Sequence, residues 1–101
     1  MTIPTQLVLE VLLRQPTHRW YGLELRRETG LKGGTLYPIM ARLEEWGVVA
    51  SAWEEPERHE GSGRPRRRYY WLTGHGAQQA LTALAGRPSH LAALRSLKGS
   101  T

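Results

Sequence analysis

Residues 32–47, KGGTLYPIMARLEEWG, decide the reading of this chain. Leu36, Ile39, Met40 and Leu43 recur at i, i+3, i+4 and i+7, the spacing of one buried helical face. Trp46 stands where it would extend that stripe. Gly33 and Gly34 open the segment, and Pro38 falls near the first turn, where a missing N–H costs little. Gly47 supplies the left-handed residue that closes a helix. The other face is left with Lys32, Thr35, Tyr37 and Arg42. A short, well-packed helix carrying such side chains has the form that a DNA major groove accepts.

Downstream, VVASAWEE (48–55) and RRYYWLT (67–73) are rich in Val, Trp, Tyr and Leu and read as strands. PERHEGSGRPR (56–66) between them holds two Pro, two Gly and a Ser, so it reads as a long mobile hairpin loop. Helix, helix, strand, basic loop, strand is the order of a winged helix-turn-helix. The expected fold is mainly α with a small antiparallel β-hairpin: a DNA-binding unit over 1–74 and short C-terminal helices over 75–101 in the same compact body. GGTLYP followed by ARLEEWGVV, and then SGRPRRRYYWLTGHG, resemble the PadR family of transcriptional regulators over roughly residues 20–76. The resemblance implies double-stranded DNA as partner and a homodimer built by the helices after the wing, packed against the partner's first helix. This tail is short beside many relatives, and the break at 86–88 splits it. Some relatives bind small aromatic or hydrophobic effectors between subunits. Trp20, Trp46, Trp53 and Trp71 are candidate stacking surfaces for one, although a tryptophan is more often core.

Composition narrows the alternatives. At 101 residues the chain has one modest core, which dimerisation would help. With no cysteine, disulfides, thiol catalysis and Cys-based zinc sites are excluded. His18, His59, His75 and His90 lack metal-ligand spacing, so no metal and no cofactor is expected. No apolar run reaches membrane-span length and no signal peptide is present, which places the expected site of action in the cytoplasm. A net charge of +5 and a pI near 10.2 favour a polyanionic partner. No nucleophile–base pair or P-loop supports an enzyme. A protein-interaction module and an RNA-binding winged helix fit the charge as well as a DNA reader does, but only the last has the resemblance behind it.

In chain order, residues 5–15 form a first helix capped by Thr5 and stopped by Pro16. Leu7, Val8, Val11 and Leu12 make one stripe and Leu9 and Leu13 a second; two stripes need two partners, and a subunit interface is the expected second one. Residues 17–20 are a connector or a short first strand. Tyr21–Thr29 follow as a helix with Leu23 inward, then TGLKGG (29–34) as the turn, with Leu31 as its plug. Arg26 and Arg27 either reach the DNA backbone or keep a face solvated. Gly33 and Gly34 can bring backbone N–H groups to a phosphate, and Thr35 and Tyr37 can bond phosphate or base edges. The bland alternative leaves the glycines as turn formers, Tyr37 in the core and Thr35 as a cap.

The wing carries Glu54, Glu55, Glu57 and Glu60 before Arg64, Arg66, Arg67 and Arg68. Strand alternation puts Arg66 and Arg68 on one face and Arg67 on the other. Arg64 and Arg66, nearest the tip, are expected at the minor groove or its phosphates. Tyr69 and Trp71 share one face, Tyr70 and Leu72 the other. Thr73 or Gly74 caps a helix with Ala77, Ala80, Leu81 and Leu84 as its stripe, and Ser89 caps a last one with Leu91, Leu94 and Leu97. The dimer set is therefore Leu9, Leu13, Leu84, Leu91, Leu94 and Leu97; the alternative is a tail folded back on its own core.

Overall fold

The first helix is the strut on which everything else packs. In the computed structural model, which describes residues 1–59, 61 and 63–99, α1 spans Ile3–Arg14. Glu60 and Ser62 of the wing tip lie outside the described residues. Thr2, not Thr5, is the N-cap: its Oγ accepts from the Thr5 amide at 3.3 Å. Pro4 fits inside the first turn because its fixed φ is already helical, so the helix starts earlier than the proline suggests. Val8, Val11 and Leu12 are completely buried and Leu9 nearly so. Of the second stripe, Leu9 is buried and Leu13 partly buried against the chain's own core. Leu9 borders one groove with Ala80 and Ala83 of α5, and Leu13 borders another with Leu84 and Leu91.

A short strand β1 (Trp20–Tyr21) leads into α2 (Gly22–Thr29), which Gly30 closes at φ 75° with its N–H on the Arg26 carbonyl at 2.9 Å. The inward residue of α2 is Leu25, fully buried, whereas Leu23 is 44% exposed. Starting at Gly22, the eight-residue helix turns Leu25 and Thr29, four apart, to the core. Leu31 plugs the turn as a partly buried residue against the core. Recognition helix α3 runs Gly33–Glu45 and buries Leu36, Ile39, Met40 and Leu43. Trp46 does not extend that stripe: it stands at the C-cap, 60% exposed. Gly47 has φ 75°, and Val48 N to Leu43 O (2.9 Å) with Gly47 N to Glu44 O (3.0 Å) makes a Schellman ending. Pro38 is the sixth helical residue, beyond the first turn; the carbonyl left without its i+4 donor is that of Gly34, near the helix's open end.

The hairpin is part of a three-stranded antiparallel sheet ordered β1–β3–β2, with β2 at Val49–Trp53 and β3 at Arg68–Leu72. The third strand is β1, paired through Trp20↔Tyr70 and Tyr21↔Tyr69. Trp20, Val49, Tyr70 and Leu72 face the core; Tyr21, Tyr69 and Trp71 face outward. Part of the expected wing loop is the single-turn helix α4 (Pro56–His59). Helix α5 (Gly74–Leu84) is capped by Thr73, whose Oγ accepts from Gly76 N at 2.8 Å and donates to Gly47 O at 2.7 Å. Its stripe is narrower than the apolar pattern suggests, with Ala80 buried, Ala77 and Leu84 partly buried, and Leu81 exposed. Helix α6 (His90–Gly99) returns to α1. Glu10 takes the Ser89 hydroxyl and the His90 and Leu91 amides, so an α1 carboxylate holds the positive end of α6.

Gly76 is the most confined of the described glycines, since a Cβ there would overlap the Val48 carbonyl oxygen; Gly34 has nothing within 4 Å. Gly76→Ala should cost about 1–3 kcal/mol of stability, whereas Gly34→Ala should be neutral or stabilising by up to about 1 kcal/mol. Thermal unfolding of the two variants checks this; equal melting temperatures would show that Val48 moves aside freely.

Candidate nucleic-acid interface

Four buried residues fix which side of α3 faces out. Opposite them lie Gly34, Pro38, Ala41 and Glu45, with Thr35 and Arg42 on one flank and Tyr37 and Glu44 on the other. No side chain caps the helix at Lys32, which leaves the Gly33 and Gly34 amides at its open end. Lys32, Thr35 and Arg42 are exposed. Arg42 turns away from the wing, into an apolar groove of about 520 Å³ bordered by Leu9, Ile39, Trp46 and Ala80.

Tyr37 is neither core nor loose. Its ring is seated against Gly22 and Gly33, where a Cβ would meet ring atoms at 2.9 and 3.0 Å respectively, yet it remains 42% exposed. The first residue of each helix of the motif is thus a glycine, and both make room for this ring. Its open side faces a cleft of about 650 Å³ shared with Leu23, Trp53, Tyr70 and residues 64–68 of the wing. Burial pushes the Tyr70 phenol pKa up. Tyr37 of α3 and the basic wing therefore line one concavity.

The wing arginines have distinct surroundings. Arg64 grips Glu54 with two nitrogens on two oxygens, each at 2.8 Å. Arg66 donates Nε and Nη2 to the Glu54 carbonyl at 3.0 and 2.8 Å and lies 5.8 Å from the Trp53 ring centre. Arg67 stacks over Tyr21 at 4.1 Å. Arg68 donates to Ser51 Oγ at 2.7 Å and sits 3.8 Å from Glu44. Sequence alternation correctly separates Arg67 from Arg66 and Arg68. Expected with its guanidinium outward at the tip, Arg64 instead points inward to an acid that is only 6% exposed. Glu54 was legible only through register: once Trp53 pairs with Arg68, Glu54 falls opposite Arg67, and its amide bonds the Arg67 carbonyl at 2.7 Å. Gly22 gives no such signal, because its role depends on where Tyr37 folds.

The four tryptophans do not gather. Trp20 is core, Trp46 borders the α1 groove, Trp53 lines the wing cleft and Trp71 lies under Arg19, 3.9 Å from its guanidinium carbon. Of the proposed dimer set, Leu91 is buried in its own chain, Leu94 is partly covered and Leu97 is exposed. Among the described residues no group of three or more His, Asp or Glu is placed to hold a metal, and no helix is long and apolar enough to cross a membrane.

A helix-turn-helix whose second helix opens beside an arginine-lined β-wing is a winged helix-turn-helix, a nucleic-acid-binding fold. Residues 8–82, about three quarters of the sequence, match the transcriptional regulator PadR-like family, and the chain belongs to it. Members of that family are transcriptional regulators rather than enzymes. A PadR family transcriptional regulator from Eggerthella lenta DSM 2243 is 30% identical with a TM-score of 0.61, the match covering 94% of this chain and 80% of that one. A PadR family transcription regulator from Clostridium difficile R20291 is 25% identical with a TM-score of 0.65, covering 81% and 83%. The circadian clock associated protein Pex from Anabaena is 29% identical with a TM-score of 0.59, covering 78% and 69%. No curated protein is significantly similar in sequence.

The Arg64 hydrogen bonds, helped by the Arg67 amide and opposed by desolvation, lower the Glu54 pKa from 4.5 to about 2. A carboxylate whose folded pKa is depressed stabilises the fold fully above its unfolded pKa and loses that contribution as pH falls to the folded one. The wing should therefore loosen between pH 4.5 and 2, which amide exchange at residues 54 and 67 would report. Glu54→Gln should abolish that pH step; an unchanged step would place the titrating group elsewhere.

Proposed function

We propose that this chain is a homodimeric, sequence-specific DNA-binding repressor that recognises a pseudo-palindromic operator. The observation that carries the reading is the concavity that Tyr37 of α3 and wing residues 64–68 line together, beside Gly22 at the start of α2. In this reading α3 enters a major groove. Lys32 and the Gly33 and Gly34 amides approach a phosphate, Thr35 and Tyr37 reach phosphate or base edges, and Arg42 follows the far strand. Gly34 fits the role well: its own fold has room for a side chain, so its bareness serves an approaching surface. The wing contributes Arg66 and Arg68 on the flanking minor groove, while Arg64 stands behind them on Glu54. Phosphate contacts supply much of the affinity, base contacts the choice of sequence, and occlusion of polymerase gives repression without chemistry.

Two copies would pair through the outer parts of α5 and α6, where Leu81 and Leu97 are 62% and 71% exposed, with Leu84 and Leu94 beneath them and Leu9, Leu13 and Leu91 supporting from the core. Two-fold symmetry then sets half-sites about one helical turn apart. The apolar groove beside Trp46 is the proposed seat for a small aromatic or hydrophobic effector. An occupant there should quench Trp46 and raise the melting temperature.

Binding to genomic fragments, including the region upstream of the chain's own gene, at two salt concentrations tests the reading. Tight retention of a few fragments sharing an inverted repeat is the expected result; uniform, salt-sensitive retention of everything would overturn sequence-specific repression. Tyr37→Ala should reduce operator affinity by about 1–3 kcal/mol with the fold intact. Arg66→Ala should weaken operator and random DNA alike and reduce the salt slope by about one. Unchanged operator affinity in the first variant would remove Tyr37 from the interface.

A further inference from the structure

Among Arg64, Arg66, Arg67 and Arg68, Arg64 alone is paired with a buried acid. Both its terminal nitrogens are on Glu54, whose side chain is 4% exposed. Arg66 bonds a neutral carbonyl, which leaves its charge uncancelled, and its side chain is exposed. Arg67 is committed to the Tyr21 ring, and Arg68 keeps only a distant acid, Glu44 at 3.8 Å. Glu54 organises all of this from one residue. Its carboxylate takes Arg64 and the Arg67 amide (3.4 Å), its carbonyl takes Arg66, and its amide continues the strand pairing.

We infer that Glu54 is a positioning residue of the wing, which keeps Arg64 out of phosphate contact and leaves Arg66 and Arg68 as the charges presented to DNA. The inference rests on the DNA-binding reading proposed above. Its physical basis is the cost of the alternative. Turning Arg64 to a phosphate would strip a buried carboxylate of its cation and leave that negative charge beside a polyanion; both steps are unfavourable. The guanidinium and carboxylate match as two parallel bonds, the geometry that arginine holds best. Arg64 thus acts through the shape of the wing. The exposed Arg66, braced at the Glu54 carbonyl and beside Trp53, has its direction set before DNA arrives.

The test compares wild type, Glu54→Gln and the double variant Glu54→Gln with Arg64→Gln, which has the wild-type net charge. Each is titrated over a salt series with the tightest-retained genomic fragment and with a random duplex of equal length. Glu54→Gln releases Arg64, so the slope of log K against log salt should steepen by about 0.9, one phosphate's worth. Random-duplex and selected-fragment binding should both tighten severalfold, because the added contact is to phosphate and carries no choice of sequence. The double variant should return to the wild-type slope. An unchanged slope in Glu54→Gln, or a double variant shallower than wild type by about 0.9, overturns the inference, the latter because Arg64 then contacts phosphate in the native complex. If Glu54→Gln does not melt cooperatively, single variants decide the same point: Arg66→Gln should flatten the slope and Arg64→Gln should not, and the reverse overturns it. Wild type that retains no DNA at all defeats the DNA-binding reading, and this inference with it, before any variant is compared.

Discussion

Four elements meet on the backbone of Gly47 and Val48, and the geometry of the molecule depends on that junction. The end of α3 turns through Gly47 into β2, while Thr73, at the end of β3, bonds both carbonyls: its hydroxyl donates to Gly47 and its amide to Val48 at 3.1 Å. Gly76 lets the first turn of α5 lie directly on the Val48 carbonyl. Recognition helix, wing and tail are thereby referenced to two consecutive peptide groups. A shift of β3 against β2 would break the backbone hydrogen bond from Thr73 to the buried Val48, where an unpaired group costs about 1–3 kcal/mol. The relative placement of helix and wing is therefore a property of short bonds rather than of loop length.

What the sequence disclosed, it disclosed through periodicity and end signals. The four-residue stripe of α3, the Gly47 stop, the Ser89 cap and the inward pairing of Tyr70 with Leu72 follow from rules that reach four residues or fewer along the chain. The misreadings occur where a rule had two equal solutions. Thr2 and Thr5 both suit a cap, and Leu23 and Leu25 both suit the inside of an eight-residue helix. The two stripes of α1 demanded two partners without saying whose; a five-residue connection brings the tail back to supply much of the second.

Charge was harder to read than hydrophobicity because a run of residues has a sum but no pairing. The wing looks like acids followed by bases, which suggests a negative edge and a positive edge. Folded, the two halves of the hairpin lie opposite one another, and the strongest acid and one base cancel at its foot. The cleft's remaining positive character comes from residues held mainly by neutral oxygens and aromatic rings, with Glu44 3.8 Å from Arg68. Arginine suits this mixture, since its plane stacks on a ring while its edge keeps donating.

Helix α6 joins the two ends of the design. Its first turn is held by Glu10 of α1, Gln6 donates to the Pro88 carbonyl just before it at 2.7 Å, and further along Arg95 reaches Glu28 at 3.7 Å while Leu94 lies 3.7 Å from the Cβ position of Gly30. The tail thus touches the turn between the two helices of the reading motif. Fraying of the last helix cannot stay local, because opening it exposes the turn as well. Helix α6 and the turn at 29–34 therefore share contacts, and opening the helix removes Leu94 and Arg95 from beside Gly30 and Glu28.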